Sequence, residues 1–207
     1  MNLSTMNGFK KHIESNYILY LVSLMFLLIG VVIGIYVVKY MGNTYKSDLS
    51  NYLQSFTNEL SSTDINNKSL FLESLKNNLL FLSVIYILGI LIVGIPIIYI
   101  CDLFKGFTLG FSAGVIVNSL GYKGIPFILA TLAPQNIIYI PCIIFSSVFS
   151  INIGVKRIKS KFLKTSYPKD SIIGISATAI IINILLIVLG SIIEAFFVPN
   201  LLRLLYK

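Results

Sequence analysis

A chain of 207 residues that is 56% hydrophobic and 12% charged, with a mean hydropathy of +0.88, carries roughly half the charge of an ordinary soluble domain. Its apolar residues stand in long runs rather than at core spacing, which excludes a soluble globular fold and makes the bilayer the solvent. The net charge of +8 speaks for membrane topology and lipid-headgroup contact rather than nucleic acid, because Lys156, Arg157, Lys159, Lys161, Lys164 and Lys169 crowd into one short link between two apolar runs, as in a cytoplasmic loop.

Residues 1–17 read as a cytoplasmic tail, with Lys10, Lys11 and His12 just ahead of the first apolar run. That run is too long for a signal peptide and lacks a small-residue cleavage site, so 18–38 is predicted as an uncleaved first span. Tyr17 and Tyr20 anchor one end and Tyr36 and Tyr40 the other, tyrosine serving at the interfaces of a chain without Trp. Residues 39–78 balance four lysines against four acidic residues and so lack a cytoplasmic signature. Within this stretch Leu49, Tyr52, Leu53, Phe56 and Leu60 share one helical face. A break at Ser61-Ser62-Thr63 and Asn66-Asn67 precedes a second helix expected near Ser69. The stretch is read as an external helical lobe with an apolar docking face.

The second span is placed at 79–100, with Pro96 near its far end, followed by an elbow at 101–105 and a short third span ending at 120. A charge at the bilayer centre costs about 2.5–3.5 kcal/mol, so Asp102 and Lys105 are expected at the cytoplasmic interface. The stretch 125–155 is too long for one simple span and carries Pro126, Pro134 and Pro141. It is read as a half-helix up to Ala133, a break at Pro134-Gln135-Asn136, and then a full span. A basic loop (156–170), a fifth span (171–195) and an amphipathic external tail (196–207) complete the chain. An even number of spans separates the basic loop from the N-terminus, so both lie inside. The expected fold is all-α: a polytopic bundle of about five spans, N-terminus inside, with an external lobe and a Pro-broken fourth helix.

Gly106, Gly110, Gly114 and Asn118 recur at i+4 and form a smooth stripe, which points to close helix packing. The stripe would suit a homodimer seam as well as an internal one, and the sharper alternative is a conduit lined by this face. Pro134-Gln135-Asn136 resembles the broken helices of transporter sites, but no second copy of the break exists. The favoured reading is a kink whose amides satisfy freed backbone groups. Glu194 falls near the outer interface, where it could be hydrated, and Asn183 lies nearer the centre of the same helix, bonded to a neighbour. Cys101 and Cys142 are read as small apolar residues. The only histidine is His12, so neither a Ser-His-Asp nor a Cys-His nor an HExxH arrangement can be assembled, and there is no P-loop. No catalytic residue, cofactor or metal site is expected.

Lys105-Gly106-Phe107, Leu109-Gly110-Phe111, Gly114, Asn118 and Gly121 together resemble the central signature of the stage II sporulation protein M family, and Pro134-Gln135-Asn136 stands where that family carries the same tripeptide. The resemblance covers most of the chain apart from the first sixteen and last ten residues. It implies a mother-cell membrane protein at the sporulation septum, acting during engulfment of the forespore. Its implied role is a platform for stage II sporulation proteins D and P, two cell-wall-degrading proteins, with hydrolysis left to those partners. The runner-up is the membrane subunit of a transporter working with a separate ATPase.

Overall fold

A bilayer interior offers no water to unpaired backbone groups, so a spanning segment must satisfy them within itself. In the computed structural model the apolar runs are accordingly helical. The structure describes the backbone of residues 12–62, 66–91, 93–163 and 169–205, and side chains over 12–55, 66–91, 93–159 and 180–202. The helices are α1 (Tyr17–Tyr40), α2 (Asn43–Ser62), α3 (Asn67–Ile90), α4 (Gly94–Leu120), α5 (Gly124–Thr131), α6 (Ala133–Leu163), α7 (Lys169–Ile192) and α8 (Val198–Leu205). A 3₁₀ turn, Gly121–Lys123, joins α4 to α5, and a π-helical turn, Ile193–Phe197, joins α7 to α8. Among the described residues, five helical stretches are long and apolar enough to cross a membrane: Tyr17–Tyr40, Asn67–Ile90, Gly94–Thr131, Ala133–Lys159 and Ile180–Leu202.

The closest seam joins α1 to α4, and glycine supplies both sides of it. A Cβ added at Gly106 would lie 1.9 Å from the Leu27 carbonyl oxygen, and one at Gly110 would lie 2.0 Å from that of Val31. Reciprocally, a Cβ at Gly30 would lie 2.0 Å from Leu103 O and one at Gly34 would lie 2.4 Å from Phe107 O. The two backbones touch, which only residues without a side chain permit. Gly114 faces the Val38 side chain instead, and Asn118 is exposed. Along Gly106 and Gly110 the stripe is filled by α1, leaving neither a lumen nor a free seam there.

Three boundaries differ from the sequence-based expectation. The second span ends at Ile90 rather than 100, and α4 begins at Gly94, so 101–105 is helix interior and not an elbow. Pro96 drives this: in the first turn of α4 its missing N–H costs nothing, whereas near the end of a preceding helix it would break the ladder. In the fourth span the break falls at Leu132. Pro134 again occupies a first turn, and Asn136 Nδ2 donates to Leu132 O at 2.7 Å beside the backbone bond from Asn136 N. The basic residues Lys156, Arg157 and Lys159 lie on α6, which continues to Leu163 rather than ending before a loop; cations suit the C-terminal end of a helix.

The lobe and the tail also pack more than expected. Asn66 caps α3, its Oδ1 accepting from Ser69 N at 3.2 Å. The stretch after 196 is helix α8, and its Val198 and Leu202 are buried with Ile116 and Phe127; Leu53, Leu120, Ile128 and Leu132 close around them. This cluster ties α2, α4, α5 and α8 together at the lobe end of the bundle.

A charged cluster inside the bundle

The interior holds ionisable groups that the sequence had placed at the interfaces. At the π turn the Val198 N–H reaches back to Ile193 O, and the widened turn carries Glu194 inward. Ser74 Oγ on α3 and Tyr139 Oη on α6 both donate to Glu194 Oε2, the second at 2.9 Å. Ser191, fully buried, completes the knot, its Oγ 3.3 Å from Ser74 Oγ and 3.2 Å from Tyr139 Oη. Gly190 makes room for the tyrosine, because a Cβ there would lie 2.4 Å from its ring. Glu194 is therefore bonded to protein groups, not simply hydrated at an interface.

Lys105 approaches the same knot from α4. Its Nζ lies 5.8 Å from the Tyr139 ring centre and 5.7 Å from that of Phe81, and the charge acting on it is that of Glu194. An ammonium over aromatic faces gains about 0.5–2 kcal/mol, which offsets part of its desolvation. Asp102, one turn earlier on α4, is wholly buried. Ser147 Oγ donates to its Oδ1 at 2.6 Å, and Ser23 of α1 stands beside the same carboxyl. Asp102 and Lys105 lie within α4 rather than on an elbow, and these partners make their place inside the bundle tolerable.

Two neutral junctions lie in the same bundle. Asn183 Nδ2 reaches Ser146 Oγ at 2.6 Å and Tyr86 Oη at 3.0 Å, joining α7 to α6 and α3. Before α1, the His12 ring packs near Phe145 and Phe149 while its Nδ1 lies 3.4 Å from Tyr20 Oη. Burial, and after it the Lys156 ammonium, holds the His12 imidazole below its ordinary range.

The sequence-predicted site residues do not converge on this cluster. Gly106 and Gly110 form the α1 seam. Asn136 caps its own kink, Pro134 lines a shallow apolar groove with Ile193 and Phe197, and Gln135 Oε1 is buried without a hydrogen bond among the described residues. Of the lobe face, Leu53 packs against the cluster at the end of the bundle, Leu49 is half-buried and Tyr52 is 73% exposed. The side chains of Phe56 and Leu60 lie outside the described residues. Sequence reasoning missed Ser74, Tyr139 and Ser191. The available signal was Ser191 one turn before Glu194, and Asp102 one turn before Lys105, on two apolar helices.

Five apolar helical spans around an interior of bonded ionisable groups define a polytopic helical membrane protein. The chain belongs to the stage II sporulation protein M family, whose model matches residues 23–199 and so takes in most of α1, the glycine seam, the kink at Leu132 and the Glu194 turn. No curated protein and no solved structure matches it.

Proposed function

We propose that this sporulation membrane protein is the platform that gathers stage II sporulation proteins D and P, two wall hydrolases, at the mother-cell side of the septum during engulfment. The chain assembles and its partners carry out peptidoglycan cleavage. The observation that supports this most is the lobe. Leu53 fixes α2 to the bundle end, while Tyr45, Asp48 and Tyr52, at i, i+3 and i+7, stand out on the exposed face beside it. Tyr45 and Tyr52 are 67% and 73% exposed, and paired tyrosines on a held helix suit a protein partner. The docking face is therefore reassigned from the Leu53 side to the Tyr45–Tyr52 side. The filled glycine seam also favours a platform over a conduit, because no path runs along that face.

The test is co-purification of the two hydrolases with the tagged protein from sporulating cells. Tyr45→Ala with Tyr52→Asp should abolish recovery of at least one hydrolase at unchanged membrane level. Full recovery of both would remove the lobe face from the reading. Recovery of an ATPase in their place would remove the platform itself.

A further inference from the structure

The charges turned into the bundle do not balance. Glu194 and Lys105 oppose one another across Tyr139, and both are only half-buried. Asp102 is sealed completely, at 0% exposure, and has no cation of its own among the described residues. The groups that act on it are Ser147 on α6 and Ser23 on α1. Tyr99 and Cys101 feel it from its own helix and bring no positive charge. Lys105, a turn further along α4, faces Phe81 and Tyr139 instead.

The local geometry leaves two matched vacancies in hydrogen bonding. Ser147 satisfies Asp102 Oδ1 at 2.6 Å, but Asp102 Oδ2 and Ser23 Oγ, both wholly buried, make no hydrogen bond within the described residues. Hydroxyl groups can bond a carboxylate but cannot neutralise it, and an uncompensated carboxylate in hydrocarbon is the costliest state open to this site. A neutral carboxyl removes the charge and turns Oδ2 into a donor, and Ser23 Oγ is the unbonded hydroxyl that stands beside this carboxyl.

We propose that Asp102, Ser147 and Ser23 form an intramembrane site that binds one proton. The carboxyl takes the proton on Oδ2, directs it toward Ser23 Oγ, and accepts from Ser147 on Oδ1. The bound proton joins α1, α4 and α6 at one point, beside the glycine seam. This site is separate from the hydrolase platform and does not depend on it.

Infrared spectroscopy of the full chain in lipid nanodiscs at neutral pH tests the assignment. The carbonyl band of a protonated carboxylic acid should appear in the wild type and in Glu194→Gln, and should vanish in Asp102→Asn. Absence of the band from the wild type overturns the proposal, as does a band that vanishes with Glu194→Gln and survives Asp102→Asn. Asparagine is a neutral near-isostere of the protonated acid, so Asp102→Asn should unfold within about 4 °C of the wild type, a shift of roughly 1 kcal/mol. Replacing Na⁺ by choline should leave the unfolding temperature unchanged. A Na⁺-dependent rise that Asp102→Asn abolishes would assign the site to a metal cation and overturn the proton.

Discussion

Replacing Gly106 by alanine puts opposing effects of unequal size into one position. Alanine is favoured over glycine in a helix by about 1 kcal/mol, so in open space the change would stabilise α4. At Gly106 the new Cβ would stand 1.9 Å from the Leu27 carbonyl oxygen, where close C–H···O contacts lie at about 3.3–3.6 Å. The obstacle is backbone, so no side chain can swing aside, and α1 and α4 must part by more than about 1 Å. Overpacking of this kind costs about 1–3 kcal/mol or more, and separating the seam also weakens the contacts at Gly30, Gly34 and Gly110. The net expectation is a loss of about 1–2 kcal/mol, or an unfolding temperature lower by roughly 2–8 °C for a chain of this size. Gly114 is the internal comparison. Its Cβ would meet the Val38 side chain at 3.2 Å and backbone only at an ordinary 3.6 Å, from Ile35 Cα, so Gly114→Ala should be close to neutral. Thermal unfolding of the detergent-solubilised protein, followed by loss of monodisperse protein after heating, reads the order directly. If Gly106→Ala equals or exceeds the wild type while Gly114→Ala is impaired, the backbone seam is not what holds α1 to α4.

Glu194→Gln should lower the unfolding temperature, because it leaves the Lys105 ammonium without an opposing charge at a cost of about 1–3 kcal/mol. Adding Lys105→Met to Glu194→Gln should recover most of the loss, and strictly additive losses in the double variant would show that the two groups act independently. The His12 imidazole is held below its ordinary range in the folded chain, so the folded state favours its neutral form. Its contribution is then complete above the unfolded pKa of about 6.5 and lost as pH falls through the folded value. The wild type should lose more thermal stability than His12→Phe between about pH 7.5 and 5.5, and equal losses would detach His12 from the packing against Phe145 and Phe149.

The five spans were legible because each apolar run is long, and bilayer thickness converts length into helix with little ambiguity. The Gly106 and Gly110 stripe was legible as spacing, but its complement, Gly30 and Gly34 on α1, passed unnoticed within a long apolar run. Boundaries were displaced where a charge was taken as the end of a span. Asp102 and Lys105 suggested an interface on insertion cost alone, and that cost assumes no partners. Ser147 is 45 residues away from Asp102 in the chain, and Ser74 is 120 residues away from Glu194, so nothing local could reveal either pairing. Leu53 was read correctly as apolar and assigned to the wrong neighbour, because periodicity tells that a face is covered and not by what.

The glycine seam explains why such costly groups are worth keeping in the bundle. Gly30 and Gly34 repeat at the same four-residue spacing as Gly106 and Gly110, so the seam taken alone has no unique register. Sliding α1 along α4 by one turn, about 5.4 Å, would again place glycine against backbone. Ser23 would then leave Asp102, and the bond from Asn152 Nδ2 to Asn16 Oδ1, 2.9 Å long, would break at the start of α1. Neither contact has an equivalent one turn away, since Leu19 and Leu27 occupy the positions flanking Ser23 at that spacing. Smooth glycine surfaces thus supply close approach without direction, and the buried polar contacts select one register from several. The same division holds at the lobe end, where Glu194 bonds to Ser74 and Tyr139 and fixes how α7 meets α3 and α6. The lobe helix α2, packed on the end of this bundle through Leu53, is held at a defined height and angle only as long as those contacts persist.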